Sequence, residues 1–389
     1  MSKTSERPRV LVFSRRNGAR TLPFRCAHFE FEDVISEIDA VEVVAPRFDH
    51  STRRYRYAKM IAYHSPLVLN PGIEQQKFES EYDLFVAICG DPSDLIALSA
   101  LGNWRSRCKK AVCVIDELWV KQMPAYANYL RRLREFDLVC LYYSQSVDPL
   151  NKIIGPRAVY LPPAVDAIRF CPFPNPPERV VDVYSIGRRS AATHQALMQL
   201  ATQENLFYIY DTTSADQVLD PTYHRELYAR TLKRSRYFIV NPGLIDRPEI
   251  RGSQIEIGYR YFDGIAAGAI NIGERAMNDV FPQLFDWPNS IIDLSYSSTN
   301  FKECVKDLQD NPAVADRIRR TNVRQALLRH DWVYRWETIL KAFDIKPLPA
   351  VARRKEQLNK LAQLAMPDLS NRKTVLVESE SKTARIANG

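Results

Sequence analysis

Short apolar runs rich in valine, isoleucine and leucine recur along this chain with helical segments between them. That alternation limits the fold more than any other feature. Val10-Leu-Val-Phe13 is the first run, and others follow at 41–44, 83–88, 111–115, 137–141 and 158–161. These runs do not alternate apolar with polar residues, so each reads as a strand covered on both faces, as in a parallel sheet. Residues 29–38, 93–101 and 126–134 read as helices between them. Parallel strands need such crossovers, so a doubly wound sheet is expected. Pro162, Pro163, Pro172, Pro174, Pro176 and Pro177 then break the pattern and mark a domain edge. Beyond them it restarts, with strands at 180–186, 206–210, 237–240 and 269–272 and helices at 193–202, 223–232 and 254–267. The expected fold is α/β: two Rossmann-like halves, residues 1–162 and 163–345, facing each other across a cleft. Residues 346–389 are expected to hold a basic helix over 352–364 and a polar, disordered tail from Pro367. Ligands of open α/β sheets bind beyond the carboxyl ends of the strands, which places any site in the cleft.

Composition removes several function classes. Hydrophobic residues make up 46% of the 389, enough for a sizeable core. Glycine is scarce, at 13 residues; neither a Gly-x-Gly-x-x-Gly fingerprint nor a Gly-Lys-Ser/Thr loop occurs, which disfavours a Rossmann oxidoreductase. The net charge of +8 is spread along the chain. It suits an anionic small molecule or an anionic membrane face and does not demand nucleic acid, which is not expected as a partner. The seven cysteines include no Cys-x-x-Cys, and most sit in apolar runs, so reduced core thiols are expected. The first nine residues carry no apolar signal core, and no apolar run approaches the roughly 20 residues of a membrane helix. The expected location is the cytoplasm, with peripheral contact at the inner face of a membrane as a further expectation.

Several residues suit phosphate and hydroxyl chemistry. Ser253 and Glu256 have capping-box spacing and predict a helix start. Its first turn, with Gly252, Ser253 and Gln254, would offer free N–H groups to a phosphate. Asp263, expected near the far end of that helix, suits paired hydroxyls such as those of a ribose. The plainer alternative is a capped amphipathic helix with a solvated aspartate. Asp116 and Glu117 follow a strand, where a carboxylate faces the cleft as a general base or a helix-capping acid. Asn17 and Gly18, with Arg15 and Arg16, follow the first strand. The run Arg53-Arg-Tyr-Arg-Tyr-Ala-Lys59 interleaves bases with aromatics and suits an anionic membrane or a lipid-diphosphate acceptor, or else forms a solvated helix face. The histidines lack metal-ligand spacing and there is no Asp-x-Asp, so no metal is expected.

Arg260-x-Phe-Asp-x-x-Ala-x-Gly-Ala269 resembles the Arg-x-Phe-Glu-x-x-Ala-x-Gly-Ala signature of group 1 glycosyltransferases, in particular a spore-maturation-protein-like subgroup. Leu161-Pro-Pro-Ala-Val-Asp-Ala-Ile-Arg-Phe-Cys-Pro172 is similar to that family's domain junction. Tyr184-Ser-Ile-Gly-Arg-Arg189 resembles its strand-to-loop Gly-Arg, and 329–340 its closing helix. The resemblance implies a GT-B fold and transfer of a sugar from a nucleotide diphosphate donor, the co-substrate, to a hydroxyl of a glycan or lipid-linked acceptor in surface polysaccharide synthesis. It implies that Asp263 holds the ribose and that Arg188 or Arg189, after Gly187, meets the diphosphate. His194 stands near the family's lysine, and Arg260 belongs to the donor motif. A retaining, metal-independent reaction follows from kinship, although the family's upstream glutamate is Ile255 here. The alternative is a catalytically silent scaffold of the same fold that binds a nucleotide or glycan.

Overall fold

The computed structural model describes residues 7–18, 22–210 and 218–366. The first sheet holds β1 (Val10–Phe13), β2 (Val41–Val44), β3 (Tyr82–Cys89), β4 (Cys108–Ile115), β5 (Leu138–Leu141) and β6 (Ala158–Tyr160). Their spatial order is β2-β1-β3-β4-β5-β6, and every pairing is parallel. The second sheet holds β7 (Val181–Ser185), β8 (Tyr208–Tyr210), β9 (Ser235–Val240), β10 (Ile270–Gly273) and β11 (Ile292–Asp293), in the order β11-β10-β9-β7-β8, again parallel. The apolar runs form the strands because both sheet faces are covered: β1, β7 and β9 lie among buried residues of the core.

Strand order fixes where a ligand can sit. β1 pairs with β2 on one side and β3 on the other, so the winding reverses between β1 and β3. In the second sheet it reverses between β7 and β9, since β7 pairs with both β8 and β9. A crevice opens at the carboxyl end of each reversal. The loops there begin at Ser14 and Gly90 in the first domain and at Ile186 and Asn241 in the second.

The helices follow the sequence reading with three differences. Residues 93–101, expected as an α-helix, form a tighter 3-10 run, Pro92–Ala100. Asp91 accepts from the Ser93 N–H, and Asp94 folds back onto the Gly90 N–H, winding the segment from its start. The helix expected from residue 254 starts only at Tyr259. The basic helix beyond 346 spans Pro349–Ala365 and is no appendage. Its buried Arg354 donates to Asp331 (2.8 Å) and Asp166 (2.7 Å), and reaches Glu37 of the first domain at 3.0 Å. The tail from Pro367, expected to be disordered, lies outside the described residues.

Helix α1 (Cys26–Ile38) shows how the domains interlock. Most of it is buried, Glu30 and Glu32 included, while Ser36 and Glu37 stay exposed. One side covers the first sheet and the other meets the second domain, where Phe31 stacks on Trp332 with ring centres 4.5 Å apart. All seven cysteines are free thiols, and all but Cys304 are buried.

Candidate functional site

The second domain presents its candidate residues on the turn from β7 into the helix Ala191–Gln203. Gly187 has φ of 71°, a left-handed conformation that a side chain resists. Ser190 caps the helix by accepting from the Thr193 N–H at 3.2 Å, leaving the positive end of the dipole beside the turn. Arg260 holds the turn from below, donating to the carbonyls of Ile186 (2.8 Å) and Arg188 (3.0 Å). Arg260 thus positions Gly187 and Arg188.

The structure separates the two adjacent arginines. Arg188 is half exposed and pairs with Asp246 at 3.2 Å. It also lies near enough to Glu117, across the cleft, for its charge to act on that carboxyl. Arg189 turns toward β8 and lies over the Tyr210 ring, 5.2 Å from its centre. His194 follows it, with Nδ1 2.9 Å from the Tyr208 hydroxyl. Burial and the Arg189 charge push its pKa down. His194 therefore packs with the β8 tyrosines instead of adding a second cation beside Arg188.

Two expectations about the 252–263 segment need correction. Ser253 is exposed and caps nothing; the helix begins six residues later, with Gly258 at its N-cap. Gly252, Ser253 and Gln254 therefore form no helical first turn for a phosphate. Glu256 does not reach back to Ser253. It crosses to the first domain and accepts from the backbone N–H groups of Ser144 and Gln145, both at 3.0 Å. Gln254 is buried beside it, accepting from the Val120 N–H (2.9 Å) and donating to Ser146 Oγ (2.9 Å). The Ser-x-x-Glu spacing belongs to a strap between the domains. Burial pushes Glu256 up to about 7 despite these hydrogen bonds.

Asp263 is the second correction. It lies in mid-helix, 2% exposed, with Oδ1 2.9 Å from Arg225 Nη2 and Oδ2 3.3 Å from the Tyr228 hydroxyl. Both carboxylate oxygens are engaged in the core, so the expected ribose contact is not presented to the cleft. Arg225 also grips Glu30 of α1 through Nε (2.8 Å) and Nη2 (3.0 Å). Burial raises Asp263 to about 6 even with Arg225 beside it.

The first domain contributes the opposite wall. Asp116 follows β4 and its Oδ2 lies 2.8 Å from His28 Nε2, both groups buried. His28 sits in the first turn of α1, its ring centre 6.2 Å from that of Tyr259, the first residue of the helix Tyr259–Ala267. Glu117 has an exposed side chain, yet the protein crowded around it withdraws part of its hydration. That setting, with Asp116 and Asp91 nearby, raises its pKa to about 7. Asn17 and Gly18 are drawn toward the exit of β2: Asn17 donates to the Ala45 carbonyl at 2.6 Å, and Gly18 bridges to Phe48. A Cβ at Gly18 would stand 2.5 Å from the Phe48 ring, so close packing explains this glycine. Arg15 and Arg25 both pair with Asp94, and Arg16 with Glu32 and Asp33.

Sequence reasoning missed His28, Glu30 and Arg225 as partners. The His28–Asp116 contact spans 88 residues and the Glu30–Arg225 contact 195, and no local spacing encodes either. Among the described residues, no group of three or more His, Cys, Asp or Glu is arranged to hold a metal ion.

Two parallel, doubly wound sheets face each other across a cleft, and the closing helices return to the first domain: this is the GT-B fold. The sequence profile of a family described as glycosyl transferase-like matches residues 209–341, covering Arg260 and Asp263 and the 329–340 segment up to Lys341. No curated protein matches the chain's sequence. Among solved structures, an alpha-glucosyltransferase in complex with UDP and a 13-mer DNA is similar in fold at 12% identity. The match covers 86% of this chain and 99% of that one, with a TM-score of 0.50. Anabaena HepE in complex with UDP-glucose covers the same shares at 10% identity and a TM-score of 0.48.

Proposed function

We propose that this protein is a glycosyltransferase that moves a sugar from a nucleotide diphosphate donor to a hydroxyl on a glycan or lipid-linked acceptor. One observation carries the reading: Arg188, on a glycine turn ahead of a capped helix, stands across the cleft from Glu117, a carboxyl raised to about 7. A cation and a positive helix end suit a departing diphosphate. A carboxyl that titrates near neutrality suits proton transfer from an acceptor hydroxyl. The glycosyl transferase-like match and the UDP-bound fold neighbour support the same donor class.

His28 is a positioning residue in this scheme, holding Asp116 beside Glu117. The reaction uses the arginine and the helix end without a metal, and a retained anomeric configuration rests on the resemblance to retaining group 1 enzymes. The spore-maturation-like subgroup and a role in surface polysaccharide assembly rest on the same resemblance. The silent-scaffold reading has one specific support, since Asp263, the family's ribose contact, is committed to Arg225.

The test is hydrolysis and transfer from a panel of nucleotide sugars. Slow release of free sugar from one donor is the expected result, with the nucleoside diphosphate as product. Tight binding of a nucleotide with no turnover on any acceptor would favour the scaffold.

The raised carboxyl gives a pH prediction. If Glu117 must be ionised to accept the proton, kcat/KM rises with pH and reaches half its maximum near pH 7. With a single such group, the rate at pH 6 is about tenfold below the plateau. Glu117→Gln should remove this acid limb, and a pH–rate profile of both proteins checks it. An unchanged limb in the variant would take the proton-accepting role away from Glu117.

A further inference from the structure

Helix α2 (Arg53–His64) buries only Tyr55, Ala58 and Ala62, spaced by three and four on one face. The opposite stripe carries Arg53, Tyr57, Met60 and His64, with Arg56 and Tyr63 alongside, and all are exposed. Tyr57 is 62% and Met60 50% exposed, unusual values for large apolar side chains. The turn after the helix adds Leu67 (64%), Val68 (41%) and Leu69 (48%). From His50 to Ile73 the chain has four lysines and arginines and no acidic residue.

This surface is held in place. Thr52 caps the helix by accepting from the Tyr55 N–H. Asn128 donates to the Tyr63 carbonyl at 2.8 Å and Tyr129 to that of Lys59 at 3.0 Å, pinning α2 to the body of the domain. Arg54 donates to the Asn70 carbonyl at 3.3 Å, and the Asn70 side chain accepts from the Gly72 and Ile73 N–H groups, both at 2.8 Å. Leu67, Val68 and Leu69 are thus presented beside the basic stripe by a built turn.

We propose that the outer face of α2 and the 65–69 turn dock this protein on an anionic lipid surface. The bases meet the negative headgroups, while Tyr57, Met60, Tyr63 and the Leu67–Leu69 side chains enter the interface. Charge complementarity selects the occupant, and the exposed aliphatic side chains favour lipid over nucleic acid, whose phosphates reward the arginines alone. No helix among the described residues is long and apolar enough to cross a membrane, so the contact is peripheral through this face.

The experiment is flotation of the full chain with vesicles of phosphatidylcholine, alone or with phosphatidylglycerol. Binding to the anionic vesicles at least tenfold tighter than to neutral ones, and weakening with salt, is expected. Arg53→Gln, Arg56→Gln and Lys59→Gln together should weaken it on the order of a hundredfold, about fivefold for each base. Leu67→Ser with Leu69→Ser should weaken it about tenfold with the melting temperature unchanged, since both side chains are exposed. Equal binding to neutral vesicles, or variants that bind like the unmodified chain, overturns the proposal. So does capture of an oligonucleotide in place of vesicles, or a dimer in solution that buries the face.

Discussion

Arg225→Ala is expected to destabilise the fold by about 3–5 kcal/mol, the cost of removing one partner from a buried ion network. Arg225 is fully enclosed, with its guanidinium centre 4.7 Å from the Phe170 ring centre and 5.3 Å from that of Tyr228. It is the cation between Glu30 of the first domain and Asp263 of the second. Glu30 Oε1 accepts in addition from the Asp166 N–H (2.9 Å) and Trp332 Nε1–H (3.0 Å), so it cannot turn toward water. Without the guanidinium, two buried carboxyls face each other across the domain junction. Against a total stability of about 5–15 kcal/mol, that loss is large enough to read directly in chemical denaturation.

The sign with pH follows from the same geometry. A buried carboxyl without its cation has a folded-state pKa above its unfolded value. Its folded form is favoured by protonation and penalised as pH rises through the folded pKa. Asp263 is raised to about 6 even with Arg225 present, so in the alanine variant the destabilisation should be larger at pH 8 than at pH 5. Arg225→Met combined with Glu30→Gln and Asp263→Asn should recover most of the loss, because no buried charge then remains. A loss under about 1 kcal/mol for Arg225→Ala alone would mean that the junction is not held this way.

The fold was legible in the sequence because parallel strands buried on both faces leave continuous apolar runs, and the proline cluster after Leu161 falls between the last strand of one sheet and the first of the other. The Gly187 turn was legible too, since glycine before two arginines at a strand end is a local signal. The domain junction was not. Ser253 and Glu256 have the spacing of a capping box, but three-residue spacing is equally compatible with an extended strap. What decides is whether Glu256 finds backbone N–H groups nearby, and it finds them at Ser144 and Gln145 on the other domain. Asp263 misled for a related reason: its place in the helix is fixed by Phe262 and Ala266 in the core, but its partner comes from a helix far away in sequence. Local pattern specifies elements and turns, whereas the long-range pairing of charges depends on how the elements pack.

Arg188→Ala is expected to lower turnover by more than about a hundredfold while changing donor affinity much less. Glycosyl transfer from a nucleotide diphosphate builds negative charge on the departing phosphate as the bond to the sugar breaks. A guanidinium at that position stabilises the transition state more than the ground state, and so acts on kcat. Arg188 is placed for this because it is half exposed, its backbone carbonyl is fixed by Arg260, and its charge reaches Glu117 on the other wall. Its pair with Asp246 is solvent-exposed, and such pairs are worth at most about 1 kcal/mol, so a phosphate can displace the carboxylate at small cost. Arg189 lies over Tyr210, and its alanine variant should lose far less turnover. Arg188→Lys should rescue only part of the rate, because an ammonium cannot reproduce a forked contact to two phosphate oxygens. Steady-state transfer or donor hydrolysis, with kcat and KM separated for each variant, reads all three outcomes. If Arg188→Ala turns over nearly as fast as the unmodified protein, the phosphate must be met from elsewhere on the same turn. Arg260 is the next group to test, and its alanine variant would have to lose the rate without releasing the Gly187 turn that it now holds.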